Sequence, residues 1–313
     1  METIQDFTNF LIGELRHGGH QETAKSYRSS VRSLLGFVQN PDLCFSDLTP
    51  DLLHRYNRHL LVTLNHSRNS ASLYLRLLSS LCSRAAKEHL VELPKSLFGD
   101  VFTGKGAPRR CALSMDALVR LILLDFLDKQ KHLAFARDLF LLSFYLRGIP
   151  FVDLAHLRKS DVYNGVIYYC RSKTRQPVAV HIPEAAQQII DRYTSLTGDG
   201  TYLLPLIKKP GADNEQVQYD SALRLYNKRL TAISELLELD EPLTSYVARH
   251  TWATIAHDNG VSVAYISQAL GHSTEEVTRD YLRSFDNEAL AQVNDYVIGL
   301  VQQHANNLKM GGM

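Results

Sequence analysis

The stretch YVARHTWATIAHDNGVSVAYISQALGHSTEEVTRDY, residues 246–281, decides the fold of the second half of this chain. Its apolar residues recur at helical spacing, and Leu270-Gly271 is a typical helix end. Among these apolar positions stand Arg249, His272 and Tyr281, each of which could be an ordinary surface or core residue if it stood alone. The stretch therefore predicts short helices that bring a cation, an imidazole and a phenol into one domain.

Two stretches nearer the N-terminus add further cations. FYLRGIPFVDLAHLRKSDV, residues 144–162, places Arg147 at the end of a strongly apolar predicted helix. YYCRSKTRQPVAV, residues 168–180, places Lys173 in the turn of a predicted β-hairpin. Two arginines, a histidine and a tyrosine in the order Arg147, Arg249, His272, Tyr281 are a known solution to the cleavage of a phosphodiester by a protein hydroxyl.

The chemistry of these residue types explains why they would occur together. Guanidinium groups suit the non-bridging oxygens of a phosphate because they donate in a planar fork and stay charged. They stabilise the charge that grows in a pentacoordinate transition state. A phenol can attack the phosphorus, and the resulting ester preserves the bond energy for religation. The set therefore favours cleavage and rejoining of a phosphodiester strand.

These motifs resemble the tyrosine recombinase (phage-type integrase) family. ARHTWAT, residues 248–254, is followed by LGHST, with His272 nine residues before Tyr281, which is the second-arginine, histidine and tyrosine pattern of that family. The segment around Arg147 resembles the family's first-arginine box, and Lys173 falls where the family has its hairpin lysine. The resemblance covers nearly the whole chain and implies a site-specific recombinase without an arm-binding domain.

The resemblance implies a role for each of these residues. Tyr281 attacks the scissile phosphorus, which gives a 3′-phosphotyrosyl link and a free 5′-hydroxyl. Arg147 and Arg249 hold the non-bridging oxygens of the phosphate. His272 hydrogen-bonds the phosphate or the nucleophile, and Lys173 is the expected acid for the 5′ oxygen.

Some positions leave alternatives open or depart from the family's pattern. Arg171 and Arg175 flank Lys173, and either could contact the leaving oxygen instead. Tyr246 stands where the family usually has the histidine of a His-x-x-Arg pattern. A phenol can donate a hydrogen bond to the phosphate but cannot act as a base near neutral pH, because its pKa is about 10. Asp153 would be the acidic residue that supports the first arginine, further downstream than in the commonest pattern.

The periodicity and the resemblance predict a mainly α (α+β) protein of two domains. Residues 1–104 are predicted to be a helical core-binding (SAM-like) domain, with helices at 3–16, 22–38, 50–64 and 65–87. A linker is predicted around the boundary, from Gly99 to Arg110. Residues 105–313 are predicted to be a mixed, mostly helical catalytic domain with a small antiparallel sheet. Its predicted elements are a hairpin of 166–170 and 178–182 and helices at 114–127, 132–146, from 183, 220–237, 245–258, 262–269, 274–284 and 286–308.

The formal net charge of +1 hides an uneven distribution. Residues 1–110 carry a charge of +4 and the remainder carries −3, and no carboxylate stands between Asp51 and Glu88. A basic, acid-free segment is typical of a surface that contacts DNA phosphates, although a merely solvated basic surface would look the same. The candidate DNA-binding residues are Lys25, Arg28, Arg32, Arg55, Arg58, Arg68, Arg76 and Arg84.

The composition excludes several classes of protein. With 45% hydrophobic and 21% charged residues, the chain is not collagen-like, disordered or a disulfide scaffold. It has no apolar run of the roughly 18 residues that a membrane span needs. Four widely spaced cysteines predict reduced thiols. No metal or nucleotide motif occurs, so no cofactor is expected, and the expected location is the cytoplasm, in association with the nucleoid.

The expected partner is double-stranded DNA that carries specific recombination sites. The resemblance implies a homotetramer on DNA, in which the predicted C-terminal helix docks into a neighbouring protomer; the alternative is that this helix packs on its own domain. Accessory DNA-bending proteins are further candidate partners, and no membrane contact is expected.

Three functions compete. The first is a site-specific recombinase that acts through a Holliday junction in integration, excision, inversion or resolution. The second is a type IB topoisomerase-like DNA relaxase, which shares the tyrosine chemistry without pairing two sites. The third is a non-enzymatic DNA-binding regulator on a recombinase scaffold, against which the complete set of candidate catalytic residues speaks.

Overall fold

The computed structural model describes residues 3–88, 90–94, 96–104, 111–212, 214–279 and 282. The chain divides into two compact units, 1–108 and 109–313, whereas the sequence prediction placed the boundary after residue 104. Each unit has a hydrophobic core of its own.

The described part of unit 1 is helical, as predicted. Thr49 and Ser67 cap two of its helices, since their hydroxyl oxygens accept from the backbone N–H three residues on. The third helix gives way to a π-type turn, His59–Thr63, and the next begins later than predicted because Asn65 has a left-handed φ of 51°. The helices are α1 (Ile4–His17), α2 (Gln21–Val38), α3 (Pro50–Arg58) and α4 (Arg68–Lys87).

The predicted linker differs from the structure, because its first residues pack on unit 1. Val101 is buried in the core of this unit, as is Leu97 just before the predicted linker. The ring of Phe102 lies under the Arg68 guanidinium at 4.5 Å. The carbonyl of Gly104 accepts a hydrogen bond from Ser72 Oγ at 2.5 Å. The chain is therefore fixed against α4 as far as residue 104.

The described part of unit 2 is mostly helical, with one small sheet. Ser114 caps its first helix, since Ser114 Oγ accepts from Ala117 N at 3.2 Å. One short helix, α7, was not predicted. The elements are α5 (Met115–Leu123), α6 (Lys131–Tyr145), α7 (Phe151–Ala155), β1 (Val162–Tyr163), β2 (Val166–Cys170), β3 (Pro177–His181), α8 (Glu184–Thr194), α9 (Glu215–Leu236), α10 (Val247–Asp258), α11 (Val263–Leu270) and α12 (Glu275–Arg279).

The sheet is antiparallel, with the order β1-β2-β3. Ile167 pairs with Val162 on one side and with Val180 on the other, and both Ile167 and Val180 are buried. The turn between β1 and β2 is Asn164-Gly165, whose φ angles of 49° and 73° are those of a tight hairpin turn. The predicted hairpin of the second and third strands is confirmed, and the two-residue β1 was missed because it is too short to show alternation.

Helix α6 runs through the core of unit 2 and contacts α8, α9 and α10. It is apolar on most sides, as the sequence predicted, except for Asp138, which is only 1% exposed. The carboxylate of Asp138 accepts from Arg192 at 2.6 Å and from the Tyr193 hydroxyl at 2.7 Å, both on α8. Buried charges need such partners, so this cluster fixes α8 against α6.

A smaller apolar cluster joins α10 to α11. It consists of Ala253, Ile266, Leu270 and Leu282. The last described helix, α12, covers the first part of the predicted helix 274–284, and the predicted helix 286–308 lies outside the described residues.

Candidate active site

Arg147 lies just beyond the C-terminus of α6. Its N–H donates to the carbonyl of Phe144 at 3.1 Å, and the N–H of Gly148 donates to the carbonyl of Ser143 at 2.8 Å. Arg147 and Gly148 have left-handed φ angles of 58° and 67°, which turn the chain sharply out of the helix. The Arg147 side chain is partly buried, and its Nη1 lies 3.5 Å from the carbonyl oxygen of Ala179 on β3. The end of α6 thus presents this guanidinium next to the hairpin.

Arg249 lies in the first turn of α10 and is only 1% exposed. Its Nη1 donates to the carbonyl of Gly148 at 2.8 Å, and its Nη2 donates to the carbonyl of Leu270 at 2.5 Å. The same Nη2 lies 3.0 Å from Nε2 of His272. One guanidinium therefore joins the turn after α6 to the turn after α11. The structure brings Arg147, Arg249 and His272 together in one region.

His272 follows the end of α11, where Gly271 has a left-handed φ of 63°. An arginine only donates hydrogen bonds, so Nε2 of His272 must accept from Arg249. The proton of the neutral ring is then assigned to Nδ1, which donates to the buried Thr278 Oγ1 at 2.8 Å. The two contacts fix both the orientation and the tautomer of the imidazole.

Burial, together with the charges of Arg249, Arg171 and Lys173, lowers the pKa of His272 to about 3. The side chain is therefore neutral at physiological pH. In this state Nε2 accepts the hydrogen bond from Arg249 and resists protonation, and the ring has no second proton to give away.

We expect His272 to make folding sensitive to acid. The unfolded chain takes up a proton on this side chain near the ordinary pKa of about 6.5, whereas the folded protein resists protonation until about pH 3. The folded state therefore loses stability as the pH falls through about 6.5. The thermal unfolding midpoint of unit 2 should fall less between about pH 7.5 and about pH 4.5 in His272→Gln than in the wild type.

The exposed His132 at the start of α6 provides the matched control. His132→Asn should show the same fall in midpoint as the wild type. An equal fall in His272→Gln would mean that the imidazole of His272 is not held neutral in the folded protein.

The carboxylate of Asp153, on α7, contacts the end of the hairpin. Oδ1 accepts from Ser172 N at 2.9 Å and from Ser172 Oγ at 2.6 Å, and Oδ2 lies 3.6 Å from Nε of Arg171. The expectation that Asp153 supports Arg147 is therefore wrong. The reason is geometric, because the single turn of α7 directs this carboxylate towards the strand end that follows Cys170.

Lys173 is exposed in the hairpin turn, between Ser172 and Thr174. It is close enough to contribute to the lowered pKa of His272. Of the two flanking arginines, Arg175 is exposed, whereas Arg171 is only 5% exposed and is bonded to backbone carbonyls. Arg171 is therefore a structural cation, and the sequence alone could not separate it from its neighbours.

Tyr169 on β2 is a further residue of this region that the sequence reasoning did not single out. Burial and the charge of Asp153 raise its pKa to about 12, against the opposing effects of Arg249, Arg171 and Arg147. The phenol therefore stays protonated at physiological pH. Only its place on a predicted strand, next to the arginine-rich turn, could have indicated it.

Of the two tyrosines of the predicted site, the structure describes one, Tyr246. Tyr246 precedes the first turn of α10, is 44% exposed, and packs edge-on against the His250 ring at 5.2 Å. Tyr281 lies outside the described residues. Its neighbour Leu282 is described, and its side chain is buried with Leu270 in the α10–α11 cluster.

The candidate DNA-binding residues of unit 1 lie on α2, α3 and α4. Two have acidic neighbours, since Lys25 pairs with Glu22 at 2.8 Å and Arg55 pairs with Asp51 at 2.9 Å. Arg68 lies over Phe102, and Arg76 lies 3.4 Å from the carbonyl oxygen of Gly104. The side chains of Arg28, Arg32, Arg58 and Arg84 are exposed.

Among the residues that the structure describes, no three His, Cys, Asp or Glu side chains converge as a metal site would require. The four cysteines are free thiols. No helix in the described part of the chain has the length and apolar character needed to cross a membrane.

Comparison with known families accounts for both units. Residues 3–96 match the phage integrase SAM-like domain, and residues 116–288 match the phage integrase family. The chain belongs to the phage integrase family. The resemblance to tyrosine recombinases and the mainly helical fold class are thereby confirmed.

Relatives of this integrase family chain include two proteins named tyrosine recombinase XerD. The one from Oceanobacillus iheyensis is 22% identical over 287 residues, which cover 89% of this chain and 92% of the relative. The one from Halalkalibacterium halodurans is 25% identical over 141 residues, 44% of this chain. That second alignment spans about half of the relative, at 46% of its length.

Solved structures of family members share the fold. A λ integrase dimer bound to a COC′ core site superposes with a TM-score of 0.66 at 16% identity, covering 90% of this chain and 79% of that one. XerH recombinase bound to difH in a pre-cleavage complex gives a TM-score of 0.59 at 14% identity, covering 88% and 81%.

Proposed function

We propose that this protein is a site-specific DNA recombinase that cuts and rejoins strands through a 3′-phosphotyrosyl intermediate and a Holliday junction. The observation that carries the proposal is the hydrogen-bonded joining of Arg249, His272 and the turn that bears Arg147. The hairpin with Lys173 lies against the same region. In this proposal residues 1–104 form the core-binding domain and 105–313 the catalytic domain.

The charge balance of the region supports a phosphate as its ligand. Arg147, Arg249, Arg171 and Lys173 act on Tyr169 or His272 electrostatically, and the carboxylate of Asp153 acts on Tyr169 in the opposite direction. Arg147 and Arg249 would hold the two non-bridging oxygens, because a guanidinium fork matches them and keeps its charge. Charge that grows on these oxygens in the transition state is then stabilised by groups already in place.

The proposed bond changes are balanced. The oxygen of Tyr281 forms a bond to phosphorus while the bond from phosphorus to the 5′ oxygen breaks. The Lys173 ammonium gives a proton to the departing oxygen, and the phenolic proton of Tyr281 passes to water. Nε2 of His272 keeps its hydrogen bond from Arg249 and holds that guanidinium in place. The reverse sequence rejoins the strand without an external energy source, because the phosphotyrosyl ester keeps the bond energy.

Tyr246 has a lesser role in this proposal. It precedes Arg249 by one helical turn, and a phenol can donate a hydrogen bond to the phosphate. The exposed cations of unit 1 would contact the DNA backbone, which positions the duplex and makes binding depend on salt.

The experiment that tests the function is the capture of covalent adducts. The protein is incubated with fragments of the genome that carries its gene, the adducts are recovered under denaturing conditions, and the attached DNA ends are sequenced. We expect one discrete site, protein linked to the 3′ end and a 5′-hydroxyl on the other strand end. A linkage to the 5′ end, or no adduct, would contradict the proposal.

A second assay distinguishes recombination from relaxation. Supercoiled plasmids with two copies of the recovered site, one copy or none are incubated with the protein. Recombinant products that require two copies support the recombinase, and the relative orientation of the sites then gives inversion or excision. Relaxation of the plasmid without any site would favour a topoisomerase-like activity.

We also propose assembly of four protomers on two DNA sites through the C-terminal segment, which lies outside the described residues. Residues 287–313 carry Val293, Tyr296, Val297, Leu300 and Val301 at helical spacing, as a docking helix would. Deletion of 287–313 should preserve binding to a single site and remove the pairing of two sites, as measured by band shift on one-site and two-site DNA. Unchanged recombination by the truncated protein would refute this assembly.

A further inference from the structure

Arg171, at the start of the hairpin turn, is held by protein groups on two sides. Its Nη1 donates to the carbonyls of Leu270 at 2.9 Å and Gly271 at 3.2 Å, and its Nε lies 3.6 Å from Oδ2 of Asp153. The side chain is only 5% exposed. A guanidinium in these contacts is not placed to reach a leaving oxygen, so the role of this buried cation must be a different one.

Both chain neighbours of Lys173 are fastened to the same surroundings. Ser172 donates twice to Asp153, and Thr174 Oγ1 lies 3.4 Å from the carbonyl oxygen of Gly271. Lys173 itself is exposed. The backbone on each side of this lysine is therefore set by contacts that converge on Arg171 and its partners.

The carbonyl of Leu270 connects this hairpin to the phosphate-binding side of the site. It accepts from Nη1 of Arg171 at 2.9 Å and from Nη2 of Arg249 at 2.5 Å. Gly271, the next residue, lies so close to Arg171 that a Cβ there would be 2.7 Å from its Cδ. Arg171 and Arg249 thus donate to the same carbonyl, that of Leu270. This shared contact fixes the position of the hairpin relative to the turn that bears His272.

We infer that Arg171 is a positioning residue that sets the Lys173 ammonium where it protonates the departing 5′ oxygen. The inference rests on the proposed function, in which the phosphorus–5′ oxygen bond breaks as the tyrosyl bond forms. Arg171 touches no reacting atom in this scheme and acts through the hairpin turn. A displacement of about 1 Å in a catalytic group can lower a rate about 100-fold.

The test compares an oxygen with a sulfur leaving group at the scissile 5′ position of the recovered DNA site. A thiolate leaves without a proton because the pKa of a thiol, about 8.5, is far below that of an alcohol. A defect in the acid therefore disappears on the sulfur substrate, and a defect in phosphate binding persists.

In single-turnover adduct formation we expect Arg171→Gln to be about 100-fold slower than the wild type on oxygen DNA and within about 5-fold of it on sulfur DNA. Lys173→Ala should show the same pattern, and Arg249→Gln should be slow on both substrates. Arg171→Lys keeps the charge without the planar fork, so its defect on oxygen DNA should be smaller than that of Arg171→Gln.

Arg192→Gln is the matched control, since it removes another arginine from a buried carboxylate, that of Asp138 in the same unit. It should lower the unfolding midpoint without changing the oxygen-to-sulfur rate ratio. If Arg171→Gln does not fold, the double variant Ser172→Ala, Thr174→Val loosens the neighbours of Lys173 with Arg171 in place and should give the same sulfur rescue.

Two outcomes would overturn the inference: an Arg171 variant, or the double variant in its place, that is equally slow on both substrates, or one as fast as the wild type on oxygen DNA. A wild-type protein that forms no adduct with either DNA would instead contradict the proposed function. The two failures are therefore distinguishable in one set of reactions.

Discussion

Tyr281→Phe is expected to abolish the covalent protein–DNA adduct, whereas Tyr246→Phe should only slow its formation. Phenylalanine lacks the oxygen that bonds to phosphorus, so no ester can form whatever the rest of the site does. Loss of one hydrogen bond from Tyr246 to the phosphate would remove about 1.4 kcal/mol of transition-state stabilisation, which corresponds to about a 10-fold lower rate.

The measurement is adduct formation on the recovered site, followed on a denaturing gel, with DNA binding measured in parallel. Both variants should bind DNA as the wild type does, because each substitution removes a single hydroxyl. Tyr246 is 44% exposed, so loss of its hydroxyl leaves the packing against His250 in place. An adduct that persists in Tyr281→Phe and disappears in Tyr246→Phe would transfer the nucleophilic role to Tyr246.

The helices could be predicted from the sequence because their signals are local. Apolar periodicity marks the face of a helix, and a cap such as Thr49 or Ser114 is set by a hydrogen bond three residues away. The turn at Asn164-Gly165 is local in the same way. Elements as short as α7 and β1 carry too few residues for a period, so they were not predicted.

The candidate site was predictable as a set of residue types and not as a network. The sequence singled out Arg147, Arg249 and His272, and the structure brings them together. It could not show that Arg171 and Arg249 donate to the same carbonyl, that of Leu270. Arg171 lies 99 residues from Leu270 along the chain, and Arg249 lies 21 residues from it. Hydrogen bonds between distant segments leave no periodic signal.

The error on Asp153 has the same origin. A carboxylate that follows an arginine by six residues is near it along the chain, which makes an ion pair between them a reasonable expectation. The positive φ angles of Arg147 and Gly148 turn the chain, and Asp153 then faces Ser172 and Arg171 instead. The backbone turn determines which residues Asp153 contacts, and the charges of the side chains alone could not predict them.

Gly148→Ala is expected to destabilise unit 2 and to disable the site. Gly148 has a φ of 67°, and a Cβ added there would lie 2.6 Å from Cα of Arg249 and 2.9 Å from its Cγ. The left-handed conformation costs an L-residue about 1–2 kcal/mol, and overpacking against backbone adds about 1–3 kcal/mol. For a unit of this size the unfolding midpoint falls by roughly 2–4 °C for each kcal/mol.

Gly165→Ala separates the penalty of the left-handed backbone from the steric clash with Arg249. Gly165 lies in the hairpin turn with a φ of 73°, and nothing stands within 4 Å of a Cβ added there. This variant therefore carries the conformational penalty alone. The difference in unfolding midpoint between Gly148→Ala and Gly165→Ala measures the contact with Arg249, and equal midpoints would show that Gly148 is not required for the approach of α10.

The rates of adduct formation should differ more between Gly148→Ala and Gly165→Ala than their unfolding midpoints do. The carbonyl of Gly148 accepts from Nη1 of Arg249 at 2.8 Å, and Gly148 is the chain neighbour of Arg147. A shift that relieves the clash therefore moves both proposed phosphate ligands at once, whereas the turn at Gly165 can adjust without moving either. At a temperature where both variants are folded, adduct formation should be about 100-fold slower in Gly148→Ala and unchanged in Gly165→Ala. Wild-type rates in folded Gly148→Ala would show that the spacing of the two arginines does not limit the reaction.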